Sequence, residues 1–126
     1  MRLLVTGVSH KTAPVEVREC LAFPEASLPD ALRSLKAYPA VSEALILSTC
    51  NRVEIVLATA DDGDPQAITD AFLAESRCVP AESIAPHLYR HEGEHAIHHL
   101  FRVAASLDSM VIGEPQILGQ LKAAYG

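Results

Sequence analysis

Apolar residues alternate with polar ones in some segments of the chain and recur at helical spacing in others. In residues 3–9, Leu3, Val5 and Gly7 alternate with Leu4 and Thr6, and a polar stretch follows, which is typical of a buried strand. Ser27 then precedes apolar residues at helical spacing, so we predict that it caps a helix running to about Tyr38, before Pro39. The chain therefore begins as a strand followed by a helix.

The middle of the chain predicts a hairpin and a second helix. Two apolar runs, 44–47 and 53–57, flank the short polar group 48–52, which is the pattern of two strands joined by a turn. The acidic segment 61–65 ends in proline and is expected to cap a helix that ends near Arg77. The inner face of this helix is predicted to contain Ile68, Ala71 and Phe72.

The last third of the chain predicts a short strand and further helices. The short strand is expected at 87–90, followed by an amphipathic helix with apolar residues from Ala96 to Ala104. A last helix opens at 114–115, and its apolar face continues to Tyr125, which suggests a piece of a longer protein. The order predicts one α+β domain over 1–126, with a ferredoxin-like split βαβ antiparallel sheet followed by additional helices.

Composition and charge exclude several classes of protein. Ten basic against sixteen acidic residues give a formal charge of −6, the wrong sign for a surface that holds nucleic acid by releasing counterions. No apolar run approaches the ~20 residues needed to cross a membrane, so we expect a cytoplasmic protein. The cysteines at 20, 50 and 78 are odd in number and widely spaced, which favours reduced thiols over a disulfide framework.

Cys50 lies in the polar group between the two predicted hairpin strands. A cysteine with only a structural role is usually buried, because it packs as a small apolar side chain. At a turn beside Arg52, the thiol should be reachable by solvent and close to a positive charge, and both conditions raise the thiolate fraction. The pattern favours a nucleophile. A turn cysteine without a role stays open as an alternative, because the pattern establishes no partner base.

Three motifs of the chain resemble those of the glutamyl-tRNA reductase family. They are GVSHKTAPV at 7–15, LSTCNRVEI at 47–55 and LDSMVIGEPQILGQ at 107–120, in the family's order and spread over essentially the whole chain. Members of this family reduce the glutamate carried as an ester on its transfer RNA to glutamate-1-semialdehyde, using NADPH. This reaction is the first step of tetrapyrrole synthesis from glutamate. The resemblance implies the same reaction here, through a thioester on Cys50.

The resemblance also implies roles for residues around the thiol. Cys50 would attack the ester, and Arg52 would hold the side-chain carboxylate of glutamate in a charge-assisted pair. His99 matches the family's histidine near the thiol and lies at the edge of an apolar helix face, where an imidazole can be held for proton transfer. His10 also matches a family position, and we assign it no catalytic role. The other implied substrate-binding residues are Thr49, Asn51, Ser109, Glu114, Pro115, Gln116 and Gln120.

The cofactor and the partners are implied by the resemblance alone. The six glycines form no dinucleotide-binding pattern, so we predict no cofactor-binding residue in this chain. In the family, the NADPH site and a helical dimerisation region lie in following domains. The resemblance therefore implies a homodimeric full-length enzyme that binds glutamyl-tRNA and NADPH and hands its product to glutamate-1-semialdehyde aminomutase. This chain would perform only the thiol acylation.

A zinc-dependent hydrolase is one alternative. The segment HEGEH, from His91 to His95, satisfies the zinc-protease pattern H-E-x-x-H, and Glu114 follows where a third ligand could lie. That site needs both histidines on one helix. Gly93 costs ~1 kcal/mol in a helix interior. The acids on either side of it are typical of a first helical turn, which leaves His91 outside. We therefore predict no metal site.

A non-catalytic adaptor domain is the other alternative, and it predicts indifference to the loss of Cys50. In that case His99 is a boundary histidine that only packs. Residues 114–115 then merely begin a helix, while Gln116 and Gln120 share a solvated helix face.

Overall fold

The computed structural model describes residues 1–49, 51–77 and 81–106 of the chain. The strands are β1 Arg2–Ser9, β2 Val41–Ser48, β3 Arg52–Thr59 and β4 Tyr89–Glu92. The α-helices are α1 Val15–Leu21, α2 Leu28–Lys36, α3 Pro65–Arg77, α4 Ala81–Ile84 and α5 Glu94–Ser106. Short 3₁₀ turns lie at Glu25–Ser27 and Ala85–His87.

The four strands form one sheet in the order β2-β3-β1-β4, and each neighbouring pair is antiparallel. This order and the sequence of elements confirm the predicted split βαβ, ferredoxin-like sheet of an α+β fold. β1 and β3 occupy the centre and pair over their whole length, from Arg2 opposite Thr59 to Ser9 opposite Arg52. The end of the predicted hairpin turn, at Arg52, therefore lies beside the end of β1, at Ser9.

The helices cover both faces of the sheet, because alternate residues of each strand point to opposite sides. On one face, Val53, Ile55 and Leu57 of β3 pack in a cluster with residues of α1, α2 and α3, including Phe72. On the other face, Val56 and Ala58 pack with Ala96 and Leu100 of α5. β3 is buried on both sides, so any polar side chain within it must find its partners inside the protein. In the described residues, no helix is long and apolar enough to cross a membrane.

The start of α2 differs from the prediction. Ser27 precedes the helix but makes no side-chain capping bond, and its hydroxyl donates instead to the carbonyl of Pro24 at 2.8 Å. Ser27 closes a 3₁₀ turn and has helical backbone angles, whereas a capping residue adopts an extended conformation. The prediction that Ser27 caps α2 is therefore wrong. α1 was not predicted, because its seven residues are few for a helical pattern and only Leu21 among them is buried.

The start of α3 is confirmed, and its inner face is corrected. Asp64 accepts a hydrogen bond from the backbone N–H of Ala67 at 3.1 Å, as a capping residue does. Phe72 is buried as predicted, but Ala71 is exposed, and Thr69 and Leu73 are buried in its place. Thr69 is tolerated there because its hydroxyl donates to the carbonyl of Pro65 at 2.7 Å. The predicted last helix lies outside the described residues.

Candidate active site

One row of paired residues across the sheet builds the centre of the candidate site. Gly7 of β1 pairs with Glu54 of β3 on one side and with Tyr89 of β4 on the other. Paired residues point to the same face, which is here the face covered by α5. A Cβ atom on Gly7 would lie 2.8 Å from Glu54 Cγ and 3.0 Å from the Tyr89 hydroxyl oxygen. Because Gly7 has no side chain, Glu54 and Tyr89 can meet across β1.

The carboxylate of Glu54 is almost fully buried, with 1% of its surface exposed, and several donors converge on it. Its Oε2 accepts hydrogen bonds from the Tyr89 hydroxyl and from Nε2 of His99. Arg52 Nη1 donates to the same Oε2 at 3.2 Å and to the Tyr89 hydroxyl oxygen at 3.1 Å. The second oxygen, Oε1, has no hydrogen-bond partner among the described residues. One carboxylate oxygen thus joins two strands and α5.

The charge state of Glu54 follows from these contacts. Burial by itself would raise its pKa, but the hydrogen bonds from His99 and Tyr89 and the charges of His99 and Arg52 lower the pKa below its usual range. Burial, followed by the charge and hydrogen bond of Glu54, raises the pKa of Tyr89 well above its ordinary value. Glu54 is therefore an ionised acceptor and Tyr89 a neutral donor. Because an ionised carboxylate only accepts, Nε2 of His99 must carry a proton.

His99 lies between the rings of two residues of β4. It is buried, with 7% of its surface exposed, and its ring is stacked on that of His91 with centroids 4.4 Å apart. The Tyr89 ring lies 5.2 Å from His99. Burial, and then the charges of His99 and Arg102, lower the pKa of the half-buried His91, which favours its neutral form. These contacts and the hydrogen bond to Glu54 hold His99 in place.

Backbone hydrogen bonds join the residues on either side of position 50. Thr49 and Arg52 exchange two backbone bonds, of 2.8 and 3.4 Å, as in a tight hairpin turn. The Thr49 hydroxyl oxygen accepts from the backbone N–H of Asn51 at 3.3 Å. The backbone N–H of His10 donates to the Asn51 carbonyl at 2.8 Å, so the first motif supports the cysteine turn through its main chain. Asn51 is exposed and Thr49 half-buried.

The structure brings some of the predicted site residues together. Arg52 and His99 converge on Glu54, two residues beyond the end of the turn that holds Thr49 and Asn51. The remaining predicted residues lie outside the described residues: Cys50, Ser109, Glu114, Pro115, Gln116 and Gln120.

Sequence reasoning missed Glu54 and Tyr89, and it considered His91 only as a zinc ligand and not as a neighbour of His99. A signal for Glu54 was present, because it is the one charged residue in the apolar run 53–58, and a buried charge requires partners. No comparable signal marked Tyr89 and His91, which lie on the short strand β4 and meet His99 only through the pairing of β4 with β1.

The geometry of the HEGEH segment does not fit a zinc protease. His91 lies on β4, whereas His95 lies in the first turn of α5. Gly93 separates them with a φ of +60°, a left-handed conformation outside any helix. The two histidines therefore cannot share one helix face, which the zinc-protease site requires. Across residues 1–49, 51–77 and 81–106, no three histidine, cysteine, aspartate or glutamate side chains are placed to hold a metal ion.

Residues 6–126 match the family model described as glutamyl-tRNAGlu reductase, N-terminal domain. The glutamyl-tRNA reductase of Solibacter usitatus is 73% identical over 125 residues, which cover 99% of this chain and 30% of that protein. The glutamyl-tRNA reductase of Geobacter sulfurreducens is 55% identical over 126 residues, covering 100% of this chain and 29% of that protein.

The fold is similar to part of a solved structure, that of glutamyl-tRNA reductase from Methanopyrus kandleri. The TM-score is 0.53 and the sequence identity 33%, and the match covers 98% of this chain and 27% of that chain. The chain thus spans less than a third of the length of the relatives it matches.

Proposed function

Because this chain belongs to the glutamyl-tRNA reductase N-terminal domain family, we propose that it performs the thiol acylation step in the NADPH-dependent reduction of glutamyl-tRNA to glutamate-1-semialdehyde. The observation that carries the proposal is the convergence of Arg52 and His99 on Glu54, directly beyond the turn that contains Cys50. The proposed catalytic residues are Cys50 and His99. The proposed substrate-binding residues are Thr49, Asn51, Arg52, Ser109, Glu114, Pro115, Gln116 and Gln120.

In the proposed step, the sulfur of Cys50 attacks the carbonyl carbon of the ester that joins glutamate to its transfer RNA. A sulfur–carbon bond forms and the bond between that carbon and the ribose oxygen breaks, which leaves a glutamyl thioester. The proton of the thiol passes to the departing ribose oxygen. His99 is the proposed carrier of this proton, and its Nδ1 is the ring nitrogen available for transfer because Nε2–H is bound to Glu54.

Arg52 is the proposed ligand of the side-chain carboxylate of glutamate. Its Nη1 is occupied by Glu54 and Tyr89, while its Nε and Nη2 have no hydrogen-bond partner among the described residues. The side chain is 20% exposed, so another edge of the planar guanidinium can face a ligand. A fixed planar fork suits bidentate binding of a carboxylate, which would select glutamate over uncharged amino acids.

The reduction itself is proposed for the full-length protein. NADPH would supply the hydride that converts the thioester to the aldehyde and releases the thiol. No glycine pattern in this chain suits a dinucleotide, so the NADPH site is proposed for the part of the relatives that this chain does not cover. Cytoplasmic location, homodimerisation and transfer of the product to glutamate-1-semialdehyde aminomutase are proposed for the full-length enzyme, on the family resemblance.

Mass spectrometry of the chain after incubation with glutamyl-tRNA tests the proposal. We expect a glutamyl adduct on Cys50 that hydrolyses slowly to glutamate, and no oxidation of added NADPH. Cys50→Ser should abolish the adduct, because a serine hydroxyl without a strong partner base is far less ionised than a thiol. Cys20→Ser is the matched control and should retain the adduct, since Cys20 lies on α1.

Three results would contradict the proposal. An unchanged adduct in Cys50→Ser would exclude the thioester. Semialdehyde formed by this chain with NADPH would show that the chain contains a cofactor site. A wild-type chain that forms no adduct, although it is folded, would favour the non-catalytic adaptor.

A further inference from the structure

We propose that Glu54 is a positioning residue that holds Arg52 and His99 in one hydrogen-bonded unit, with Tyr89 as its third donor. The inference rests on the proposed function for the roles of Arg52 and His99. It adds that the substrate-binding group and the proton-transfer group depend on the same carboxylate oxygen. Glu54 itself needs no contact with the substrate, because it acts through the two side chains that it orients.

The hydrogen bonds of Glu54 reach residues on three separate elements. Arg52 lies on β3, Tyr89 on β4 and His99 on α5, and all of them donate to Oε2. Nδ1 and Nε2 of a neutral imidazole exchange their roles when the proton moves from one to the other. The bond from Nε2 to Glu54 removes this freedom and leaves Nδ1 as the acceptor. Glu54 therefore sets which nitrogen of His99 can take a proton.

The burial of Glu54 is better explained by positioning than by stability. A buried ion pair contributes little to folding, because the cost of removing both charges from water offsets their attraction. Glu54 also keeps one buried oxygen, Oε1, without a partner in the described residues, which costs further free energy. An apolar residue at this position would stabilise β3 more, because it would bury no charge and leave no oxygen without a partner. The arrangement also requires the space left by Gly7.

Other charged groups face the same unit and enter its pH dependence. Arg52 lies beside Glu54 on β3, and His91 of β4 is stacked on His99. On α5 itself, His95 and Arg102 lie close enough to act on His91. A Glu54 variant removes one negative charge and also frees Arg52 and His99 from their shared partner, and both changes alter the pH profile of acylation.

Glu54→Gln in the full-length protein tests the proposal, because glutamine keeps the shape and removes the charge. We expect single-turnover acylation of Cys50 to slow by about 10²-fold or more, the low end of what general acid–base catalysis contributes. The pH profile of acylation should change, because glutamine supplies no negative charge beside Arg52 and His99. Half-saturation should require more glutamyl-tRNA, since Arg52 loses its anchor. Glu54→Asp should recover part of the rate.

Matched variants separate positioning from a purely structural effect. Asp70→Asn removes another part-buried carboxylate, one that pairs with Arg90 at 2.8 Å, and should leave acylation and its pH profile unchanged. Tyr89→Phe removes a donor but keeps the charge of Glu54, so the rate should fall less than in Glu54→Gln and the pH profile should stay.

Nitrogen NMR of the histidine rings provides a readout that does not depend on activity. We expect the neutral His99 ring to carry its proton on Nε2 in the wild type, and to show a mixture of both neutral forms in Glu54→Gln. A proton on Nδ1 in the wild type would overturn the proposal. It would also be overturned by a Glu54→Gln protein that acylates Cys50 at the wild-type rate and pH profile. Absence of any Cys50 adduct in the wild type would instead refute the proposed function, while the NMR result still decides the role of Glu54.

Discussion

Gly7 and Glu54 occupy paired positions on the two central strands, and the absent side chain of Gly7 provides the space in which the Glu54 carboxylate meets Tyr89. Gly7 is needed for the space that it leaves and not for its backbone angles, because it lies within the regular strand β1. It makes the candidate site dependent on a residue without functional groups.

Replacing Gly7 with alanine tests this dependence. The new Cβ would lie 2.7 Å from the carbonyl oxygen of Val53, so β1 and β3 would have to separate. We expect the free energy of unfolding to fall by about 1–3 kcal/mol, as for other overpacked sites, and acylation of Cys50 to fall with it. Urea unfolding and adduct formation measure the two effects.

Gly93→Ala is the control for the Gly7 variant. Apart from the two neighbouring residues, no atom of the described residues lies within 4 Å of a Cβ at Gly93, and its φ of +60° opposes alanine at a cost of about 1–2 kcal/mol. It should therefore lower stability while leaving the acylation rate of the folded protein intact. Wild-type stability and acylation in Gly7→Ala would mean that the sheet relaxes around the added carbon.

The lowered pKa of Glu54 predicts a specific acid dependence of stability. Below its usual value of 4.5, the unfolded chain binds a proton at this group before the folded protein does. The stabilisation is thus complete above that pH and is lost as the pH falls through the folded pKa. In urea unfolding between about pH 3 and pH 6, stability should decline less steeply in Glu54→Gln than in the wild type. Glu43→Gln, at an exposed site, is the charge-matched control, and equal slopes in all three proteins would contradict the prediction.

Arg52→Lys should impair use of the substrate far more than it impairs folding. Lysine keeps the positive charge but loses the planar fork that can bind Glu54 and a substrate carboxylate together. We expect half-saturation to require about tenfold more glutamyl-tRNA, equivalent to losing ~1.4 kcal/mol of binding. Arg90→Lys changes an arginine of similar exposure that is paired with Asp70, and it should acylate normally. Equal acylation by the two variants, at equal thermal stability, would remove Arg52 from the substrate site.

The rate of alkylation tests whether Cys50 is activated. Cys20 is exposed, so accessibility alone permits it to react. Faster modification of Cys50 near neutral pH would therefore reflect its chemical environment, to which Arg52, two residues along the sequence, is expected to contribute. Mass spectrometry of the folded protein during iodoacetamide treatment measures all three thiols. Modification of Cys20 or Cys78 before Cys50 would count against Cys50 as the nucleophile.

Metal analysis of the purified protein tests the rejected zinc site. Because His91 and His95 lie on different elements, we expect no stoichiometric zinc and no change in thermal stability with a chelator. One tightly bound zinc per chain, lost in His95→Ala, would restore the zinc-hydrolase alternative.

The amino-acid sequence by itself determined the order of the strands and their arrangement in the sheet, but it did not predict α1. The alternation in 3–9 and the apolar runs 44–47 and 53–57 indicate which segments are strands, because residues on a buried sheet are apolar. The polar group between the two apolar runs indicated the position of the cysteine turn, because a short polar segment between two strands is typical of a turn. Errors arose where the pattern is weak, as at Ser27, whose hydroxyl had a competing partner in the preceding turn.

Only the tertiary structure decided what surrounds Glu54. Its partners His99 and Tyr89 are 45 and 35 residues away in the chain, and no local pattern relates such positions. They meet because the pairing of β1 with β3 and β4 places Gly7, Glu54 and Tyr89 in one row beneath α5. A slip of one residue in either pairing would turn the moved side chains to the other face. The residue types of the site can therefore be identified from the sequence, but the contacts among them depend on the strand register.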